Sequence, residues 1–262
     1  MNTRRTLLRA GLCLPLAVPA AMLATPARAQ GSDPLGSPQW PAVWRDVLGG
    51  GRVVFDPRVK VSGPAFAEDA MHVPIAFDAG ELGAVRRIVV AVDRNPIRKV
   101  LEFEPGPLRA ALTFRFKQEQ ASPVRVAVQD GDGVWHVGGI LVNAAGGGCT
   151  VPGDTRRDGS WEATLNRVEA RVFPGRTPGT ARLRLRVMHP MDTGLVAGIP
   201  AFHIEQLAIT EPGAAAPALL RLYEPVSENP VFSFDLPAWP RSGTRVSGQD
   251  NNGNRIAARI VP

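Results

Sequence analysis

The stretch RLRLRV, residues 182–187, alternates arginine with an aliphatic residue through three repeats. Side chains of an extended chain point to opposite faces in turn, so this reads as a strand with a wet arginine face and a buried aliphatic one. Val124-Arg125-Val126-Ala127-Val128 and Leu112-Thr113-Phe114-Arg115-Phe116 repeat the theme, with Arg125 and Arg115 expected on the wet side. Asp132-Gly133 and Asn252-Gly253 suit hairpin turns. Strand-like segments recur at roughly ten-residue intervals, as β-sandwiches require.

One short N-terminal helix interrupts this pattern. Ser37 can cap it, Pro38 suits its first turn and Gly49 can end it. Trp40, Val43, Trp44, Val47 and Leu48 recur at helical spacing and predict a core-facing stripe. The fold expected is therefore mostly β.

The run NAAGGGCTVPGDTRRDG, residues 143–159, matches neither period. Ordering three consecutive glycines costs backbone entropy and brings no side-chain packing in return. Strand patterns end before it at Val142 and resume after it from Trp161 to Val172. The simplest organisation is two β-sandwich domains, residues 30–145 and 161–262, joined by a flexible glycine-rich, cysteine-bearing link at 146–160.

Residues 1–29, ending Ala27-Arg28-Ala29, have a basic start, an apolar middle and a small-x-small ending, the pattern of a secretory signal peptide cut before Gln30. Thr3-Arg4-Arg5-Thr6-Leu7-Leu8 resembles a twin-arginine signal, and export by that route or by the general secretory route leads to a bacterial periplasm. Arg9 and two prolines interrupt the apolar stretch, so no permanent membrane span is expected. Cleavage removes Cys13 and leaves Cys149 as the lone thiol. Of the 30 basic residues four leave with the leader, so 26 face 24 acidic ones, a net charge of about +2. With no basic stripe carrying interleaved aromatics, nucleic acid is not an expected partner.

Several independent segments resemble a known family. VKVSGPAFAEDAMHVPIAF, VAVDRNPIRKVLEF and GGGCT resemble the Y subunit of the SoxYZ sulfur carriers. RVMHPMDTGLVAGIPAFHIEQL, SENPVFSFDLP and SGTRVSGQDNNGNRIAARIVP resemble the Z subunit. Their order along one chain resembles the fused carriers associated with quinoprotein dehydrogenases. The resemblance implies two immunoglobulin-like sandwiches in the periplasm and a swinging-arm cysteine, here Cys149, that carries sulfur covalently between partner enzymes, as in thiosulfate oxidation. It implies no cofactor other than a sulfur adduct on Cys149, and no catalytic activity of the chain's own. In the paired-subunit family the arm is a free C-terminus, whereas here Thr150, Val151, Pro152 and a whole domain follow.

The residues around the cysteine fit an arm. Gly146, Gly147 and Gly148 remove side-chain bulk, and from Val142 to Cys149 an extended chain spans at most ~25 Å. A thiolate is the nucleophile in such chemistry, and Arg156 and Arg157 are the candidates to support it or an anionic adduct. Cys149 is expected to be exposed, reactive, and able to link a homodimer by a disulfide when oxidised.

His72, His136, His189 and His203 are scattered without metal-ligand spacing, and no metal site is expected. Neither glycine triplet has the lysine or following helix of a phosphate loop. Two readings remain. One is a covalent carrier for sulfur-oxidation or quinoprotein dehydrogenase-system proteins. The other is a non-covalent periplasmic accessory or chaperone of such a dehydrogenase, with a dispensable cysteine.

Overall fold

The computed structural model describes residues 32–156 and 159–261. The expected signal peptide and Arg157 lie outside the described residues. The one α-helix among them is α1, Trp40–Asp46. The strands of the first half are β1 Val53–Phe55, β2 Lys60–Ser62, β3 Phe66–Ala67, β4 Val73–Asp78, β5 Val85–Val92, β6 Lys99–Glu104, β7 Ala111–Phe116, β8 Ser122–Asp130 and β9 Trp135–Ala144. Those of the second half are β10 Val168–Pro174, β11 Ala181–Val187, β12 Ile204–Thr210, β13 Ala218–Leu222, β14 Val231–Leu236, β15 Arg245–Asp250 and β16 Arg255–Arg259. The described residues are mostly β, with two sheets and a single α-helix, as expected. No helix among the described residues is long and apolar enough to cross a membrane.

β11 is the alternating strand read from RLRLRV. Leu183, Leu185 and Val187 are buried, while Arg184 and Arg186 are exposed. The two Asx-Gly turns close the β8–β9 and β15–β16 hairpins, where Asp130 and Asp250 accept backbone N–H bonds from the turn residues.

The two halves do not stop at separate edges. β6 pairs antiparallel with β13, from Leu101↔Leu222 to Glu104↔Leu219, and β7 pairs with β14 through Thr113↔Ser233 and Leu112↔Phe234. Each sheet therefore runs through both halves. One sheet has ten strands, in the order β1-β9-β8-β5-β6-β13-β12-β15-β16 with β3 beside β9. The other is β10-β11-β14-β7-β4-β2. Between them lies one continuous apolar core, in which Phe103 of the first half meets Phe234 of the second at 5.8 Å. Burying aromatic area of this kind helps hold the halves together.

α1 packs on the outer face of the ten-stranded sheet. Trp40, Val43 and Leu48 join Val89, Ala91, Ala127 and Trp135 in a second cluster. Gly49 and Gly50, with φ +68° and +67°, turn the chain away after the helix. Ser37 opens a turn before Gln39, which takes the cap position, so the helix starts slightly later than a Ser37 cap predicts.

This cover corrects one expectation. Arg125 is 2% exposed rather than wet, because α1 and the segment before it lie over β8. Its guanidinium makes paired bonds to Asp93 (2.8 and 2.9 Å) and Asp33 (2.8 and 2.7 Å) and stacks 4.4 Å from Trp40. Two carboxylates and an aromatic face are what let a buried guanidinium stay charged.

Candidate functional site

β7 ends at Phe116, and the chain runs on as Lys117, Gln118 and Glu119 along the seam between the halves. The glycine-rich segment lies against it. Gly147 N–H donates to the Glu119 carbonyl at 3.0 Å and Gly148 N–H to the Gln118 carbonyl at 3.1 Å. Gln118 N–H in turn donates to Ala70 O at 2.8 Å. A Cβ on Gly148 would lie 2.2 Å from Ala70 O, so no residue but glycine fits there. Gly146 and Gly147, at φ +99° and +81°, supply the bend that leads in from β9. The glycines expected to set an arm free are here the residues that let the backbone lie flush in a groove.

Cys149 is consequently buried, only 1% exposed, against the expectation of an exposed thiol. Its Sγ–H points to the Lys117 carbonyl at 3.5 Å. The Glu119 carboxylate straddles the next peptide, accepting from Cys149 N–H at 3.0 Å and from Thr150 Oγ1 at 3.0 Å. From the second half, Thr193 Oγ1 donates to Cys149 O at 2.7 Å.

The segment after the cysteine is fastened to the second half. Gly153 presses on Glu228, whose Oε2 accepts from Thr155 N–H at 3.0 Å, and Asn229 Nδ2 donates to Thr155 Oγ1 at 2.8 Å. Arg156 forms an ion pair with Asp192 (2.6 and 2.7 Å) and stacks 4.7 Å from Trp161 and 6.0 Å from Phe202. Residues 146–156 thus form a strap with one end on each half. Polar bonds and glycine contacts hold most of it. Thr150, Val151 and Pro152 remain exposed.

The electrostatics follow from the geometry. Burial, and after it the Glu119 charge, push the Cys149 thiol up to about 12, with Lys117 pulling the other way. Lys117 is itself buried, its Nζ bonded to Met191 O, and burial holds it below the usual lysine range. The cation whose field reaches the thiol is therefore Lys117. Arg156, expected in that role, is committed to Asp192, and Arg157 lies outside the described residues. No local pattern marked Lys117, Glu119, Asp192 or Thr193, because they converge only when β7 and the loop after β11 meet.

His189 is fully buried and packs 4.4 Å from Phe202. Its Nδ1 accepts Met191 N–H at 3.0 Å, which leaves the proton on Nε2, 3.7 Å from Asp250. Burial keeps its imidazole well below the usual range, so it serves packing of the turn that presents Asp192 and Thr193. Among the described residues no group of three His, Cys, Asp or Glu side chains is placed to hold a metal.

The run 117–119 beyond β7, the glycines laid along it and the one thiol of the described residues define this seam. Residues 44–149 match the family model of the sulfur oxidation protein SoxY. The match ends on Cys149 itself, and it bears out the SoxY-type resemblance read from the motifs. No curated protein matches the chain. Among solved structures the chain is similar to the sulfur carrier protein SoxY from Chlorobium limicola f thiosulfatophilum. The two are 17% identical, over 41% of this chain and 96% of that one, at a TM-score of 0.37.

Proposed function

We propose that the protein is a periplasmic covalent carrier that holds sulfur intermediates on Cys149 and presents them to partner enzymes, without catalysis of its own. The observation that carries this reading is that a SoxY-type sequence ends on the one cysteine of the described residues, on a strap that polar bonds and glycine contacts largely hold. Such a strap can leave its groove with little loss of buried apolar area, the thiol itself excepted. Docked, it keeps the thiol protonated and out of reach of stray oxidants. Released, Cys149 returns towards an ordinary thiol and can accept or deliver sulfur. The signal-like residues 1–29 support export and a mature chain beginning at Gln30. The fused order of the halves supports a partner in a quinoprotein dehydrogenase system as well as in sulfur oxidation.

The burial of Cys149 favours a second reading, in which the chain is a non-covalent accessory of such a system and the thiol is structural. Intact-mass analysis of protein purified from its native host without reductant separates the two. The carrier reading expects added sulfur or sulfonate that disappears in Cys149→Ser, together with loss of function in the host. Unmodified protein, with function surviving Cys149→Ser, selects the accessory. N-terminal sequencing of the exported protein checks cleavage before Gln30.

A further inference from the structure

The two sheets treat their outer faces differently. The ten-stranded sheet hides part of its outer face beneath α1, whereas the six-stranded sheet carries no helix among the described residues. On that open face the registers set arginines side by side. Arg184 lies between Arg171 of β10 and Ser233 of β14, and Arg186 lies between Glu169 and Val231. Arg115 of β7, two residues beyond Thr113, shares the row of Arg186. Neighbouring strands are ~4.8 Å apart and alternate residues ~7 Å apart, so Arg115, Arg184 and Arg186 crowd one patch.

Carboxylates balance it only in part. Arg182 is paired with Asp235 at 2.9 Å, but Glu169 approaches Arg186 only to 3.9 Å. Arg115, Arg171 and Arg184 have no ion-pair partner among the described residues, and Arg115 Nε is buried without an acceptor. Burial and the repulsion of Arg186 and Arg184 hold the Arg115 guanidinium below its usual range, against the opposing pull of Asp69 and Glu228. Surfaces with no binding role ordinarily intersperse the two signs. Phe173, 42% exposed on the same face of β10, adds an aromatic beside the arginines, the composition of protein-binding patches. The patch also borders the strap. Arg115 is two residues before Lys117, roughly 7 Å along the chain, and Lys117 O receives the Cys149 thiol.

We propose that the outer face of the six-stranded sheet, centred on Arg115, Arg184 and Arg186, docks a carboxylate-rich face of the protein that exchanges sulfur with Cys149. The inference rests on the carrier reading for the identity of the exchange, and on the arginine register for the surface. Docking there brings a partner's active site to the seam, and the charge pattern selects acidic partners and speeds their encounter.

The test uses the full chain in three forms: wild type, Arg184→Glu with Arg186→Glu, and a control with the same charge change, Arg255→Glu with Arg259→Glu, at exposed sites on β16. All four side chains are exposed, so unchanged thermal melting is expected in both variants. Affinity for poly-L-glutamate, read by fluorescence anisotropy, should weaken about tenfold in the face variant and little in the control. Equal weakening in both, or none in either, overturns the proposal, as does a marked preference for heparin over poly-L-glutamate. In the native host, the mixed disulfide trapped between Cys149 and its partner should fall with the face variant and persist with the control. An undiminished mixed disulfide overturns the docking face while leaving the carrier intact. If the wild-type chain shows neither adduct nor mixed disulfide, the carrier reading fails, and the poly-L-glutamate comparison alone decides whether this face takes an acidic protein.

Discussion

Cys149 lies beneath a carboxylate rather than beside an arginine, and its chemistry is governed by that fact. An ordinary thiol with a value of 9.0 is pushed up to about 12 in the docked strap, by burial first and Glu119 second. Between those values the folded chain keeps a proton that the unfolded chain has lost, so stability falls as pH rises across that window. Below about pH 9 the contribution is complete. Wild type should therefore melt above Cys149→Ala at pH 8, by the equivalent of about 1 kcal/mol for the lost packing. That advantage should shrink steadily between pH 9 and pH 11, as scanning calorimetry at several pH values will show. A gap that does not change with pH removes the buried-thiol account. Glu119→Gln removes the charge that faces the sulfur, while its amide oxygen can still accept from Cys149 N–H and its NH2 can donate to Thr150 Oγ1. Labelling by a thiol reagent at pH 8 should then be faster than in wild type. An unchanged or slower rate means that Glu119 does not control the thiol.

The strap is the element on which the functional reading turns. Its hold on the first half depends on a backbone approach that only glycine at 148 permits. Gly148→Ala should eject the segment around Cys149 while the strands stay in place, since the added Cβ meets the Ala70 carbonyl and not the core. Expected results are Cys149 labelling at least roughly tenfold faster than wild type and a modest drop in melting temperature. Gly131→Ala, in a turn where an added Cβ has open space, should change neither. Wild-type labelling rates in both variants would show that the strap does not gate the thiol.

The whole molecule behaves as one body across its seam, because both sheets and the core pass through it. Expressed alone, residues 30–145 expose the edges of β6 and β7, and residues 160–262 expose those of β13 and β14. Unpaired edges flanked by apolar core invite aggregation. Co-expressed, the two fragments should co-purify as a complex with the far-ultraviolet dichroism of the intact chain. Each alone should aggregate or lack cooperative melting. Two well-folded fragments that do not associate would contradict the shared core.

Alternation, Asx-Gly turns and one helical stripe were enough to determine a mostly-β sandwich with a single N-terminal helix. Those signals are local: period-two burial and turn chemistry depend on neighbours within a few residues. The SoxY-type motifs were likewise legible, since they are carried by residue identity. Local pattern could not say that β6 meets β13 and β7 meets β14, because edge pairing is decided by which edges remain open once each half has folded. Arg125 illustrates the same limit. Its alternation marks a wet face, and only the arrival of α1 and Asp33 turns that face inward. By sequence the glycine triplet predicts freedom, because it has nothing to bury. In the folded chain it is a close fit, because the groove formed by Ala70, Gln118 and Glu119 exists only once distant segments of the first half have come together. Sequence alone thus singled out Cys149 as the candidate carrier residue. Tertiary structure decided that it is sheltered, which cation and carboxylate act on it, and that an open arginine face lies alongside.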